Sequence, residues 1–406
     1  FKQKTAYEIM PSLVGSEMCI RDRTIFLSNP KTLEAETLLS QHLEELLHCL
    51  EQLKLREFNV VVMPDFFLDR LITYEGDIKQ LSKTLAEVAK RKGGSIHGIK
   101  QTELRGGNAA NTAAALAALG AKVHPIINTS PLGLHLLKYY LDPYEADLSH
   151  VKTHGQIALT TAFELTYEGE KVNVMMSDLG SLPEFNLNDL TQEDFKLLQN
   201  ADYVCVFHWS GTRRWGTNLA EGVFRHVKKK GKGKTYYDTS DPTPKKEDIP
   251  KLVNKILLQN LVDIFSVNEN EAFCYASQLN RKISRLQKTL KPNELAKECA
   301  RTLAKNLSAR IDLHTTTFSG SFTHKTETIM PALKVPVLRT TGAGDAWNAG
   351  NILGDALDLP DQCRLTLANL AAAYYISSPT AEHATLQKLR KFCLAQLRNV
   401  KTDVHT

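Results

Sequence analysis

Arg339-Thr340-Thr341-Gly342-Ala343-Gly344-Asp345 sits between an apolar, strand-like run (333–338) and a run with helical spacing (346–357). A Gly-Ala-Gly turn at a helix start leaves three backbone N–H groups unpaired and close together, at the positive end of the helix dipole. A transferring phosphate fits such a nest. Asp345 is out of place if the nest only binds anions, because its carboxylate would repel a phosphate. It makes sense as a base that takes the proton from a hydroxyl attacking that phosphate. A capped helix, with Thr340 or Thr341 as cap and the glycines as punctuation, explains the same residues. The dinucleotide fingerprint is not met, since the position of its last glycine holds Trp347.

Upstream, strand and helix signals alternate. An amphipathic run at 31–55, with leucines at helical spacing, leads to Asn59–Met63, whose Val60-Val61-Val62 is continuous and β-branched, as in a parallel strand buried on both faces. It ends at Pro64-Asp65. Helical segments follow at 78–89 and 133–141, and strands at 123–127, 204–207, 235–237, 262–267 and 311–314. Residues 364–375 and 384–397 read as closing helices. Residues 158–176 read as a half-exposed antiparallel hairpin turning at Glu168-Gly169-Glu170. The expected fold is therefore α/β: a doubly wound, mostly parallel sheet flanked by helices, with a small antiparallel β lid over its edge. The expected organisation is a non-native, adapter-like leader at 1–23, an N-terminal helix at 24–57 and one domain at 58–400, with lid segments near 66–105 and 157–178. The leader reading leaves open a native N-terminus, and a targeting peptide, upstream.

Several clusters carry polar chemistry. Arg105-Gly106-Gly107-Asn108-Ala109-Ala110-Asn111 opens an Ala-rich helix. Its glycines allow close approach of backbone to a ligand, and its asparagines offer amides that both donate and accept, as a sugar needs. A glycine turn with an Asn cap explains the same residues. Asn268 and Glu271, three apart at a helix start, share a face that suits a hydrated Mg²⁺ held against phosphates; a capping box has the same spacing. Residues 315–320 read as a loop with hydroxyls and a glycine. His208 follows a buried strand, where a satisfied turn histidine and a ligand group are both consistent, and Asp238 ends another strand at the same edge. Gly233-Lys234-Thr235 suggests a P-loop, but Lys228 stands where the first glycine is required and the strand comes after the loop.

Composition narrows the classes. The 406 residues are 42% apolar and 23% charged with formal charge +5, enough for a sizeable core, and no uncharged apolar run reaches membrane-spanning length. The basic residues are scattered, so nucleic acid is not indicated. Seven cysteines without a Cys-x-x-Cys pair read as reduced thiols of a cytoplasmic protein.

Gly106-Gly107-x-x-x-Asn111, Asn268-x-x-Glu271 and Gly342-Ala343-Gly344-Asp345, in this order, resemble the three signatures of the ribokinase-like (PfkB) carbohydrate kinases over roughly residues 58–390. The resemblance implies ATP-dependent transfer of the γ-phosphate to an alcohol of a sugar or nucleoside. It implies Asp345 as base and the amides of Gly342, Ala343 and Gly344 as anion hole. Asp69, Gly106, Gly107 and Asn111 would hold substrate hydroxyls, Asn268 the phosphates and Glu271 a Mg²⁺, directly or through water. Thr315 and Gly320 match the family's nucleotide loop, and Asn369 its adenine-side helix. The family's lid closes over the sugar and excludes water. The departures are Arg339 in place of an acidic or small polar residue, Asn351 in place of an apolar one, Asn108 where ribokinases carry Lys or a small residue, no basic-Gly loop at 377–383, and a long insertion at 73–100. A sugar kinase is expected, as a monomer or homodimer, with a nucleoside or phosphosugar kinase (Arg105, Arg213, Arg214) as alternatives within the family. A catalytically silent binding or regulatory protein is the alternative of another class; it predicts loss of Asp345 or of the nest, and neither is lost.

Overall fold

A computed structural model describes residues 30–52, 57–144 and 146–405. The expected leader at 1–23, and residues 24–29 and 53–56 of the expected N-terminal segment, lie outside the described residues. Two compact units are formed, one of Phe58–Ala117 with Ala121–Val262, the other of the described residues up to 57 with Ala118–Gly120 and the chain from Asp263 onward. Helix α1 (Pro30–Gln52) opens the described chain and belongs to the second unit.

In the first unit, β1 (Asn59–Met63), β2 (Phe67–Asp77), α2 (Ile78–Lys90), β3 (Lys100–Gly106), α3 (Asn108–Ala118), β4 (Lys122–Pro125) and α4 (Pro131–Leu141) are followed by β5 (Ala158–Tyr167), β6 (Glu170–Asp178), α5 (Gln192–Asn200), β7 (Tyr203–Val206), α6 (Gly216–Lys230), β8 (Lys234–Asp238) and α7 (Ile249–Lys255). Strands β4, β1, β7 and β8 pair side by side, all parallel, with Val60 opposite Val123 on one side and Tyr203 on the other. Val60, Val61 and Val62 are fully buried, as the β-branched run predicts for a strand covered on both faces. Helix α3 buries Ala110 and Ala114 against Phe66, Ile127 and Leu137, where small side chains admit close packing.

The second sheet of this unit has the order β3-β2-β5-β6. It occupies the expected lid segments but is not wholly antiparallel: β2 pairs antiparallel with β3, yet parallel with β5. The reason is connectivity, since the chain returns to β5 only after passing through β4 and α4, and such a crossover delivers a parallel strand. The β5–β6 hairpin is antiparallel, turning through Glu168 (φ 51°) and Gly169 (φ 86°), the two positive φ values of a tight hairpin turn. The long insertion holds the end of β2, then α2, capped by Asp77 accepting from the Lys79 amide at 2.7 Å. The P-loop look-alike ends α6 and starts β8, as its order in the sequence required.

In the second unit, β9 (Ile264–Val267), α8 (Glu269–Leu279), α9 (Ile283–Leu286), α10 (Pro292–Asn306), β10 (Arg310–His314), β11 (Phe318–Phe322), β12 (Glu327–Pro331), α11 (Ala343–Ala356), α12 (Asp361–Ser377) and α13 (Leu386–His405) follow in order. Strands β9 and β10 are parallel, and β10-β11-β12 form an antiparallel meander. Two expectations fail here. Residues 333–338 form no strand: Pro336 cannot donate to a ladder, and the segment is tied by single bonds, Ala332 N to Thr317 O at 3.0 Å and Leu338 N to Ile376 O at 2.9 Å. Gly320 lies inside β11, opposite Leu313, and only 315–317 form a loop. Its backbone bonds follow from pairing to β10 and β12, which outweighs the weak strand propensity of glycine. Helices α11 and α12 approach closely at Gly350, where a Cβ would stand 2.8 Å from Ala368 Cα. Leu43, Leu46, Leu47 and Leu50 of α1 are buried, and α1 packs on α12 and α13. The mostly parallel sheet with flanking helices and a small second sheet is thus the observed fold. Among the described residues no helix is long and apolar enough to cross a membrane.

Candidate active site

In the first unit, polar groups gather where β1, β2, β3 and α3 meet. Asp65, just past β1, is 1% exposed, and its carboxylate accepts from the amides of Asn108 (2.8 Å) and Ala109 (2.9 Å) at the start of α3. A buried carboxylate is satisfied there by amides and by the helix dipole. It also faces His208 Nδ1 at 2.9 Å, which makes His208 the satisfied turn histidine of the two readings. Asp69 lies in β2 opposite β3. A Cβ on Gly106 would meet its carboxylate, so glycine there makes room for the acid. Burial raises the Asp69 carboxyl to about 6, against a lowering hydrogen bond from Thr160 and with a raising contribution from Asp65. Gly107 has φ 91°, and a Cβ there would stand 2.9 Å from Phe66 Cα. Asn111, 4% exposed, accepts from Arg105 Nε at 3.1 Å, and its amide donates to Gly107 O at 2.9 Å. Asn108 Oδ1 accepts from Ser240 Oγ at 3.0 Å.

The four expected substrate residues, Asp69, Gly106, Gly107 and Asn111, are thus brought together, with carboxylate acceptors beside amide and guanidinium donors, a set that suits a polyhydroxyl ligand. Sequence reading missed Asp65, noted only as the end of a strand. The signal available was a Pro-Asp step directly after a buried strand, in the position from which a carboxylate can reach a neighbouring helix start. Asp238 is also buried but turned to its own loop, accepting from Ser240 N at 3.0 Å.

In the second unit, Gly342 (φ 87°) precedes α11 in the left-handed conformation that glycine adopts without strain. Asp345, in the first turn, is 6% exposed. One expectation is corrected: the Ala343 amide is not unpaired but donates to Thr340 O at 3.2 Å, because the tight turn folds it back on the preceding carbonyl. Gly344 faces His314, whose Cε1 would be 3.3 Å from a Cβ there. The His314 ring lies 5.0 Å from that of Trp347, Trp347 Nε1 donates to Asn369 Oδ1 at 2.9 Å, and Asn369 Nδ2 donates to Pro331 O at 2.9 Å. Asn369 therefore braces the nest helix against β12.

Asn268 and Thr315 follow the C-terminal ends of parallel strands β9 and β10, where open sheets place ligands. Glu269 Oε1 accepts from Thr316 N at 3.3 Å and links the two loops, while Thr315 Oγ1 folds back to Phe318 O at 2.7 Å. Gly320, inside β11, lies away from this loop turn in sequence, and a Cβ there would meet the Phe322 ring at 2.6 Å. Asn268 and Glu271 form the capping box: Asn268 Oδ1 accepts from Glu271 N (3.0 Å), and Glu271 accepts from Asn268 N (3.0 Å) and Nδ2 (2.8 Å). This donor set fits a Mg²⁺ reached through water rather than an inner cage, since Glu271 is 2% exposed and both its oxygens accept from Asn268. Among the described residues no three His, Cys, Asp or Glu side chains converge as a metal site.

The departure at Asn351 has a structural cause. Asp312 in β10 is fully buried, and although burial alone would raise its carboxyl, Arg310 and Arg364 hold it well below the usual carboxylate range. Asn351 Nδ2 donates to Asp312 Oδ2 at 2.8 Å and its Oδ1 accepts from Arg364, so the amide completes an ionic network under α11.

The model of the pfkB family carbohydrate kinases matches residues 80–388, a span that begins within α2 and leaves Asp65 and Asp69 outside. No curated protein matches the chain by sequence. Among solved structures, the ribokinase of Arabidopsis thaliana complexed with ribose and ATP is similar at 17% identity and TM-score 0.62, with 84% of this chain and 99% of that one covered. A putative ribokinase II from E. coli in complex with ATP and Mg²⁺ is similar at 13% identity and TM-score 0.62, covering 84% and 100%. The adenosine kinase of Sinorhizobium meliloti is similar at 19% identity and TM-score 0.60, covering 84% and 99%.

Proposed function

The chain belongs to the pfkB family of carbohydrate kinases, and we propose that it transfers the γ-phosphate of ATP to a hydroxyl of a sugar. The observation that carries this reading is the buried carboxylate of Asp345 in the first turn of a helix opened by left-handed Gly342. An acid held beside phosphate-binding amides serves transfer better than simple anion binding.

Asp345 takes the proton of the attacking hydroxyl, making it a better nucleophile as the phosphorus–oxygen bond to the donor loosens. The amides of Gly342, Ala343 and Gly344 receive the charge that develops on the phosphoryl oxygens, the Ala343 amide exchanging its long bond to Thr340 O for the phosphate. Asp69 and Asn111 orient the sugar hydroxyls, with Gly106 and Gly107 giving the chain room to approach. Asn268 binds on the phosphate side, and Thr315, Gly320 and Asn369 shape the nucleotide side, Gly320 and Asn369 as braces. Glu271 would hold a Mg²⁺ through water, and the ion would supply neutralisation of phosphate charge. Arg105 Nε on Asn111 Oδ1 puts a guanidinium among the sugar-side groups, which favours an acceptor bearing its own anionic group as a second reading.

The test is ADP release from ATP·Mg²⁺ with a panel of sugars, sugar phosphates and nucleosides. One acceptor should raise release well above background, and Asp345→Asn should cut kcat by about two to four orders of magnitude. A panel without any active acceptor, or an Asp345→Asn protein of full activity, would sink the assignment and favour a silent binding protein.

A further inference from the structure

Arg339 directly follows the apolar run 333–338 and stands three positions before Gly342, in place of the acidic or small polar residue of the family pattern. Its Nη2 donates to the Pro379 carbonyl at 2.8 Å, just past the C-terminal end of α12, where the helix dipole leaves negative partial charge. Its guanidinium carbon lies 6.0 Å from the centroid of the Tyr375 ring, within reach of a cation–π contact. Tyr375 in turn stacks on His383, with centroids 4.6 Å apart and planes 12° from parallel. The Tyr375 hydroxyl lies 2.7 Å from where a Cβ on Gly342 would stand, so the phenol is set against the residue that opens α11. Leu338 N, on Ile376 O at 2.9 Å, fastens the same join through the backbone.

Simple solvation at a strand end does not describe this side chain. No strand is present, and Arg339 Nε is buried without a hydrogen-bond partner, a desolvation cost that a solvated surface arginine avoids. We propose that Arg339 is a positioning residue for the phosphate nest. Its charge anchors on the end of α12, its guanidinium holds the Tyr375 ring, and the ring sets Gly342 and hence the direction of the amides at the start of α11. This rests on the reading of that nest as the phosphate site.

Calorimetric titration of ATP and of AMP, which lacks the outer phosphates, into the full chain tests it. Arg339→Met should weaken ATP about three- to thirty-fold, the range a charge at a helix end supports, and AMP by less than about two-fold. Arg339→Lys should fall between Met and the native protein, and Tyr375→Leu, which leaves the charge in place, should reproduce most of the loss. The inference is overturned if Arg339→Met binds ATP as the native chain does, if it loses ATP and AMP equally, or if Tyr375→Leu leaves ATP affinity intact. Should Arg339→Met not fold, Arg339→Lys and Tyr375→Leu decide alone by the same ATP-to-AMP comparison. A native chain that binds neither nucleotide fails the kinase reading itself.

Discussion

The Asp69 carboxylate occupies the space that a side chain on Gly106 would fill: a Cβ there would lie 2.2 Å from Asp69 Oδ2 and 2.5 Å from Oδ1. Gly106 φ is not in the left-handed region, so its backbone accepts alanine, and the three atoms nearest the new Cβ all belong to the Asp69 carboxylate, which must move. Gly106→Ala should therefore leave thermal stability nearly intact while raising KM for the acceptor, by about ten-fold if one charge-assisted hydrogen bond of roughly 1.4 kcal/mol is lost. An unchanged acceptor KM would show that Asp69 does not hold the substrate.

The same acid should set a pH dependence. With the folded carboxyl raised to about 6 from 3.8, the folded state binds the proton more tightly than the unfolded chain. This contribution to stability is fully present below pH 3.8 and is lost as pH rises through about 6, on the order of 2–3 kcal/mol in all. Asp69→Asn should flatten that part of the stability–pH curve. In activity, the ionised acid is the better hydroxyl acceptor, so acceptor KM should fall as pH rises through about 6. A KM that is flat over this window would contradict the role.

Glu271 serves both a cap and, in the proposed chemistry, a metal. Glu271→Gln keeps one of the two acceptors of the capping box and turns its NH2 at an Asn268 donor, so it should cost about 1–3 kcal/mol of stability. Loss of charge behind the metal's water should still weaken apparent Mg²⁺ affinity about ten- to a hundred-fold, measured as the Mg²⁺ dependence of ADP release. If stability falls and Mg²⁺ dependence does not change, the residue is a cap alone.

Asn351→Leu restores the family's usual apolar character but strands two charged groups. Arg364 loses an acceptor and Asp312 a donor. Urea unfolding should show a loss of about 1–3 kcal/mol, and Asp312→Asn, which leaves Arg310 and Arg364 less compensated, about 3–5 kcal/mol. A neutral or stabilising Asn351→Leu would mean that the arginines find other partners.

The strand–helix alternation, and with it the fold class, was legible because buried parallel strands such as Val60-Val61-Val62 leave a continuous β-branched run. Site motifs were legible where glycine marks a steric demand, as at Gly106, Gly107 and Gly342. What the sequence hid was pairing between distant segments. The parallel β2–β5 register, the placement of Gly320 inside β11 and the Asp65–His208 contact each depend on residues far apart in the chain, and no local pattern encodes them. The irregular 333–338 segment looked like a strand because it is rich in apolar residues, but Pro336 lacks a donor for a ladder and only isolated backbone bonds tie the segment down.

Trp347 sits two residues past Asp345, its ring near His314 and its indole N–H held by Asn369. The chain has three tryptophans, and the other two, Trp209 and Trp215, belong to the first unit. With those two replaced by phenylalanine, the indole emission, excited at the long-wavelength edge where tyrosine does not absorb, would come from a single side chain built into the start of α11. Nucleotide arrival at that helix would then be readable as a change in emission, without a label and before any acceptor has been identified.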